Sequence, residues 1–462
     1  MVELDNIFRT YDIRGKFPKD YSLETAVNIG RAFGKFFGIN KNVIIGGDVR
    51  LSTPILKTAI KLGLMESGCN VKDIGVCTTP TIYFLAANND NVDFGIIITA
   101  SHNPIEYNGI KVCDHIGVSY HFDNLFRQIK EVVIKNNLTD YQANQYGQIP
   151  LLKGVNSEQF WNFQKKNFSP KRSANLVVDI GNGTCYPILD VLADKQMEVH
   201  ALHSEPDGSF PVMIPDPAKP ECLKYIISEM KSGLYDLGIG YDADGDRVGF
   251  VDDHGNILFP DQAIMLFGKY LLSKNPKCEI MIDIKTSRAT YEYLTDLGAK
   301  VRFTRVGHSW IHEEIMRSKA VFAGELSGHY YFKDGYFGFD DAAFSSLKMI
   351  EILTAQQQSI SSLIKELPSY HTSNELRIAC DDKIKSIVTK NLKKRLISEV
   401  ERSITIDGVR AEFEDGWVLV RESGTEPVIS VRAEAYTKKK LDFYLKFIVD
   451  LVTEEIGKAK KT

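Results

Sequence analysis

What most limits the fold of this chain is a strand-then-helix pattern that restarts three times. Buried-type strands at Asn42 to Gly46, Asn175 to Gly181 and Glu279 to Lys285 each end in a polar turn and lead into a helix pattern, starting roughly 100 to 130 residues apart. Such a period is too long for a solenoid. Apolar runs such as Val43-Ile44-Ile45, Phe94 to Ile98 and Leu176-Val177-Val178 alternate with amphipathic stretches such as Leu23 to Phe37 and Pro54 to Ser67. Strands of this kind bury both faces only when helices cover them, so the fold class is α/β. We expect three similar α/β domains in series, each with a mixed sheet between helices. After Pro368 the pattern changes. Asn374 to Ala379, a Lys-rich helix, and strands at Val409 to Phe413, Gly416 to Val420 and Val428 to Ala433 predict a smaller C-terminal α+β domain. Polar seams at Gln142 to Gly154, Asp253 to Asn256 and Leu367 to Ser373 divide the chain into residues 1–148, 149–253, 254–367 and 368–462, and Lys458 to Thr462 reads as a frayed helix end.

Composition excludes several classes. A formal charge of −4 over 462 residues argues against a nucleic-acid binder or a polybasic membrane binder. An anionic small ligand therefore needs local basic groups. No apolar run approaches the roughly 18 residues of a membrane span, and Met1 to Thr10 lacks the build of a signal peptide. The seven cysteines include no C-x-x-C pair, which predicts reduced thiols in a cytoplasmic protein.

Four loops concentrate chemistry. Thr99-Ala100-Ser101-His102-Asn103-Pro104 follows the strand Phe94 to Ile98, where open α/β sheets place ligands, and its turn residues present Ser101 at an exposed apex. Ser101 lacks the G-x-S-x-G elbow of a serine hydrolase. Asp242-Ala243-Asp244-Gly245-Asp246-Arg247 sets three carboxylates at alternate positions, which repel unless a cation neutralises them; an all-oxygen set suits Mg²⁺. An EF-hand fails here, since Arg247 stands where Gly is required, whereas an aspartyl-phosphate phosphatase with Asp242 as nucleophile shares the D-x-D spelling. Gly324-Glu325-Leu326-Ser327-Gly328-His329 gathers groups able to read adjacent sugar hydroxyls. Arg421-Glu422-Ser423-Gly424-Thr425-Glu426-Pro427 makes an anion-binding turn from a guanidinium, hydroxyls and backbone N–H groups. Gly181-Asn182-Gly183 opens like a dinucleotide fingerprint, but Tyr186 occupies its last glycine position.

Together the loops resemble those of the α-D-phosphohexomutase family, most closely its bacterial and archaeal phosphomannomutase/phosphoglucomutase members. The resemblance covers nearly the whole chain, and Phe8 to Gly15, Pro215-Asp216-Pro217 and Arg305 to Ser309 agree with it. It implies four domains around one central cleft and an enzyme that interconverts hexose 1- and 6-phosphates through a 1,6-bisphosphate. Ser101 would be a phosphoserine, with Asp242, Asp244 and Asp246 holding Mg²⁺ beside it and Arg247 stabilising the transferring group. Ser423, Gly424, Thr425 and Arg421 would bind the non-reacting phosphate, and Glu325 and Ser327 the O3 and O4 hydroxyls. Lys111 is the favoured proton carrier, with His102, His308 and His329 as alternatives, and Tyr11, Arg14 and Lys285 match positions that line the cleft. Hexose 1,6-bisphosphate is the implied activator, a phosphosugar the implied partner, and a monomer or weak homo-oligomer the expected state. Leu326 stands where phosphoglucosamine mutases usually carry Gln, which favours mannose and glucose phosphates over that alternative. A non-catalytic sugar-phosphate-binding protein is the other rival.

Overall fold

The structure, a computed structural model, describes residues 4–135, 146–150, 152–424 and 427–460. The expected phosphate-loop residue Thr425, residues 142–145 and 151 of the 142–154 seam, and the last residues of the tail lie outside these ranges.

The repeat is realised as one topology built three times. In the first sheet the strands run in the order Ile13–Lys16, Tyr107–Asp114, Phe94–Ile98, Asn42–Gly47, Asn70–Val76. Asn42–Gly47 pairs parallel with both Phe94–Ile98 and Asn70–Val76, and Phe94–Ile98 pairs antiparallel with Tyr107–Asp114. In the second sheet Asn175–Asp179 lies between Glu198–Leu202 and Leu237–Tyr241, parallel to both, with Val248–Val251 antiparallel beyond. In the third, Glu279–Asp283 is central, parallel to Lys300–Thr304 and Ala320–Gly324, with Tyr330–Phe332 antiparallel beyond. Each copy therefore has one hairpin connection after its third strand, and those three connections contain Ser101, the aspartates and Glu325. The fourth domain differs. Its sheet is antiparallel throughout the described residues, and its loop after Glu422 joins Gly416–Glu422 to Val428–Ala435.

Local sequence explains the elements. The central strands are apolar on both faces (Val43, Ile44 and Ile45 are fully buried) because helices cover both sides. Ser22 caps Leu23–Phe37 by accepting from the Thr25 N–H at 3.1 Å. That helix lies close against Thr53–Glu66, because a Cβ at Gly63 would sit 2.1 Å from the Val27 carbonyl oxygen. The expected division at Asp253 falls inside a hairpin: Ile257–Leu258 pairs antiparallel with Val248–Val251 and so joins the second sheet.

One apolar core spans the first three domains. Tyr83 meets Phe339 at 5.7 Å between ring centroids, and Phe84 meets Phe160 at 5.6 Å. Each such ring contributes about 1.5–3 kcal/mol on burial, which fixes the three hairpin loops relative to one another. The fourth domain has its own core and is stitched to the third by arginines. Arg410 lies 3.9 Å above the Trp417 ring and donates to the carbonyls of Ile284 and Thr286, and Arg432 donates to that of Lys285. No helix of the described residues is long and apolar enough to cross a membrane.

Candidate active site

The loop bearing Ser101 is a tight turn held in the left-handed region, with φ of 48° at Ser101 itself. Ser101 is 1% exposed, so the expected exposed apex is corrected: the aspartate loop of the second domain packs directly over it. The Ser101 hydroxyl donates to Asp242 Oδ2 at 2.8 Å and lies 3.0 Å from His102 Nδ1. The other Asp242 oxygen accepts from the N–H groups of Gly245, Asp246 and Arg247 at 3.0 to 3.2 Å, which curls the aspartate loop around its first carboxylate. Gly245 supplies the positive φ that this turn needs.

The remaining carboxylates face Lys111. Its ammonium reaches Asp244 Oδ2 at 3.1 Å and Asp246 Oδ2 at 2.5 Å, and Thr79 also donates to Asp244. Burial pulls the Lys111 ammonium down, but Asp244 and Asp246 outweigh it and hold it well above its ordinary value. One ammonium cannot balance three buried carboxylates. Burial, Asp246 and Asp244 push Asp242 well above the usual carboxylate range, while Lys111 overcomes burial at Asp246 and holds it well below.

The aspartate trio fits a hard divalent cation. One oxygen from each carboxylate lies within 4.8 Å of the others, and Asp244 Oδ1 and Asp246 Oδ1 are buried with no hydrogen-bond partner. Buried orphan oxygens of this kind are costly unless a ligand satisfies them, and oxygen-only donors suit Mg²⁺ chemistry.

In front of this floor lies a cavity of about 360 Å³ lined by all four domains. Tyr11, Arg14 and His102 come from the first domain and Arg247 from the second; Lys285, His308, Glu325, Ser327 and His329 come from the third, and Arg421, Ser423 and Gly424 from the fourth. Ser101, Lys111, Asp242, Asp244 and Asp246 are buried at 3% exposure or less and are not among its lining residues. Arg421 belongs to a strand end rather than to the loop, and Asp407 holds it at 3.1 Å. Arg14 reaches Asn103 Oδ1 at 2.8 Å, and Tyr11 donates to the Val306 carbonyl at 2.9 Å. Lys285 pairs with Glu375 at 3.4 Å. Glu375 and Arg377, also in the lining, read from sequence as ordinary strand residues; nothing local distinguishes them. A larger cavity of about 630 Å³ between the third and fourth domains is lined by Arg288, Arg410 and Glu412 and by no expected site residue.

Three histidines serve different electrostatic settings. Burial, with Arg247 and Arg14 nearby, holds His102 well below its ordinary value, and burial with Lys111 does the same to His308. Neither His308 ring nitrogen has a hydrogen-bond partner. His329 Nδ1 meets Glu325 at 3.2 Å and Ser327 Oγ at 2.8 Å, and its Nε2 lies 3.5 Å from Asp246. Burial and Arg247 pull His329 down, but Asp246 and Glu325 outweigh them and raise it from 6.5 to about 9. Burial raises Glu325, but His329 outweighs that and holds it at about 2. A raised imidazole stabilises the fold fully below the unfolded value of 6.5 and loses that contribution as pH climbs through about 9. His102 and His308 are neutral in the folded state throughout this window, and in the unfolded state above about pH 7.5. We expect the unfolding midpoint of chelator-treated protein to fall between pH 6.5 and 9, and to fall less in His329→Gln. Equal slopes in the two proteins would rule out the ion pair.

Comparison with known proteins agrees along the whole chain. Residues 5–139, 157–255, 259–370 and 375–451 match families described as phosphoglucomutase/phosphomannomutase alpha/beta/alpha domains I, II and III and C-terminal domain. The chain is 37% identical over 441 residues to a phosphomannomutase/phosphoglucomutase of Pseudomonas syringae pv. tomato, covering 95% of this chain and 93% of that one. It is 34% identical over 445 residues to a phosphoglucomutase of Neisseria gonorrhoeae, covering 95% and 94%. A crystal structure of a phosphoglucomutase/phosphomannomutase family protein from Burkholderia thailandensis superposes with a TM-score of 0.87 at 31% identity, covering 100% of this chain and 98% of that one.

Proposed function

Because the chain belongs to the phosphoglucomutase/phosphomannomutase family and is a phosphohexomutase, we propose that it moves phosphoryl groups between O1 and O6 of mannose and glucose phosphates by way of Ser101. The observation that carries this reading is the Ser101 hydroxyl, 2.8 Å from Asp242 behind a cavity to which all four domains contribute.

Ser101 carries the phosphoryl group in the resting enzyme. Asp242, Asp244 and Asp246 would hold Mg²⁺ beside it. When bound, the ion supplies the positive charge that phosphoryl transfer demands. The substrate's own phosphate rests on Arg421, Ser423, Gly424 and Thr425, which leaves its free hydroxyl facing Ser101. Glu325 and Ser327 hold O3 and O4, a pair that a flip of the ring exchanges. In the transfer, the bond from phosphorus to Ser101 Oγ breaks as the sugar oxygen forms its own. The hydroxyl proton leaves the sugar, and Ser101 Oγ accepts a proton as it departs. Arg247 offsets the charge on the equatorial oxygens. His308 is the better acceptor for the sugar proton, since it is neutral, faces the cavity and has both ring nitrogens unpartnered. Lys111, held charged, suits the return of a proton to Ser101 Oγ better than its removal. The bisphosphate then reorients and gives its other phosphate to Ser101. Added hexose 1,6-bisphosphate activates any enzyme that has lost its phosphoryl group. The free thiols support a cytoplasmic setting.

The test is kcat/KM on mannose, glucose and glucosamine 1-phosphates with Mg²⁺ and a trace of 1,6-bisphosphate. Mannose and glucose substrates are expected to turn over within about tenfold of each other, with glucosamine 1-phosphate at least about tenfold slower. A preference for glucosamine 1-phosphate would overturn the substrate assignment, and isomerisation of none would overturn the function.

A further inference from the structure

Behind the Ser101 turn, on the side away from the cavity, lies a charged group that belongs to none of the four loops. Arg50 is 1% exposed. Its guanidinium donates to four backbone carbonyls of one turn: Ser101 and Asn103 at 2.6 Å each, Pro104 at 2.9 Å and Tyr107 at 3.1 Å. Asp48 lies 3.2 Å from Arg50 Nε and accepts from the Arg50 and Thr53 donors and from the Thr99 hydroxyl. Thr99 Oγ1 in turn accepts the Ser101 N–H at 2.9 Å. The carbonyl of Ser101 is therefore bound to Arg50, and its amide is bound to Asp48 through one hydroxyl. Both peptide units that set the left-handed φ of 48° are held by one buried ion pair.

The second domain closes over this pair. Phe210 lies 5.4 Å from the guanidinium, and Gly208 bridges to Arg50 so closely that a Cβ there would sit 2.0 Å from the Val49 carbonyl oxygen. The clamp is thus built at the junction of the domain carrying the serine and the domain carrying the aspartates.

We propose that Arg50 is a positioning residue for phosphoryl transfer, clamping the carbonyls of the Ser101 turn so that Oγ points at the aspartate loop in line with the incoming sugar oxygen. A planar guanidinium suits this, because its fork of donors spans four fixed acceptors; an ammonium keeps the charge but cannot reach them all. The proposal rests on Ser101 as the phosphoryl carrier.

The test uses full-length Arg50→Lys with phosphoserine content titrated per chain. The single-turnover rate of transfer from phosphorylated Ser101 to glucose 1-phosphate is expected to fall roughly 100-fold, with KM within about threefold of the parent. A role in stability alone would lower the unfolding midpoint and leave the rate per phosphorylated site unchanged. A rate within about threefold of the parent overturns the proposal. Should Arg50→Lys fail to fold, Phe210→Leu trims the ring over the guanidinium without removing a donor. It is expected to slow transfer at constant KM, and an unchanged rate again overturns the proposal. Turnover surviving in Ser101→Ala would instead sink the underlying assignment of the carrier.

Discussion

Ser101→Ala is expected to lower kcat by roughly a thousandfold or more while leaving sugar-phosphate affinity within about threefold. The two effects separate because of where the side chain sits. Ser101 lies behind the cavity and is not among its lining residues, whereas Arg247, Lys285 and Arg421 are, so the cationic side chains of the cavity remain. Loss of Oγ leaves Asp242 Oδ2 without its 2.8 Å donor, a cost of about 1–3 kcal/mol to the local structure. That is too little to unfold a core spanning three domains. Calorimetric titration with glucose 6-phosphate reads affinity, and a coupled isomerisation assay reads turnover. Turnover above about a tenth of the parent would reject Ser101 as carrier and favour a phosphatase-like use of Asp242.

Removal of divalent cations is expected to act as strongly. With chelator, kcat should fall at least about a thousandfold and return on adding Mg²⁺, which should also raise the unfolding midpoint of the resting protein. Two of the three buried carboxylates share one lysine, and two oxygens of the trio have no hydrogen-bond partner, so the folded loop gains from a cation that the unfolded chain does not hold. Asp242→Asn is the informative variant. Its remaining carbonyl oxygen can still accept the three N–H groups that curl the loop. The oxygen facing Ser101 is lost as an anion. Activity should fall as in the chelated parent, with no Mg²⁺-dependent rise in midpoint. Chelated parent enzyme that keeps more than about a tenth of its activity would reject a metal requirement.

Much of this was legible in the sequence for a physical reason: chemistry had been concentrated into short loops. Asp242, Asp244 and Asp246 repel one another unless a cation lies between them, and Arg421 beside Ser423 offers a cluster of donors to an anion. Strands such as Asn42–Gly47 and Asn175–Asp179 were visible because both faces are apolar. What stayed hidden depends on contacts across long sequence separations. Lys111 meets its carboxylates across 133 and 135 positions, so its raised ammonium could not be read locally. The burial of Ser101 depends on Asp242, 141 positions away. Arg50 reads as one more basic residue after a Gly-Asp turn until four carbonyls are seen to converge on it. Glu375 and Arg377 sit in a strand pattern that offers no hint of a cavity. The expected break at Asp253 lies in the turn of the second sheet's last hairpin, a few residues short of where that sheet ends, because a polar turn marks a hairpin as readily as a domain boundary.

The placement of one working loop at the same hairpin in each of three like-built sheets bears on how such a molecule changes over time. The Ser101 turn, the aspartate loop and the Glu325 hairpin occupy separate copies of one scaffold position. On the proposed assignment, substitutions in the Glu325 hairpin alter the sugar contacts and leave the Ser101 and aspartate loops of the other two copies intact. Duplication of an ancestral unit followed by specialisation of each copy is a short route to three like-built sheets with different loops at one position.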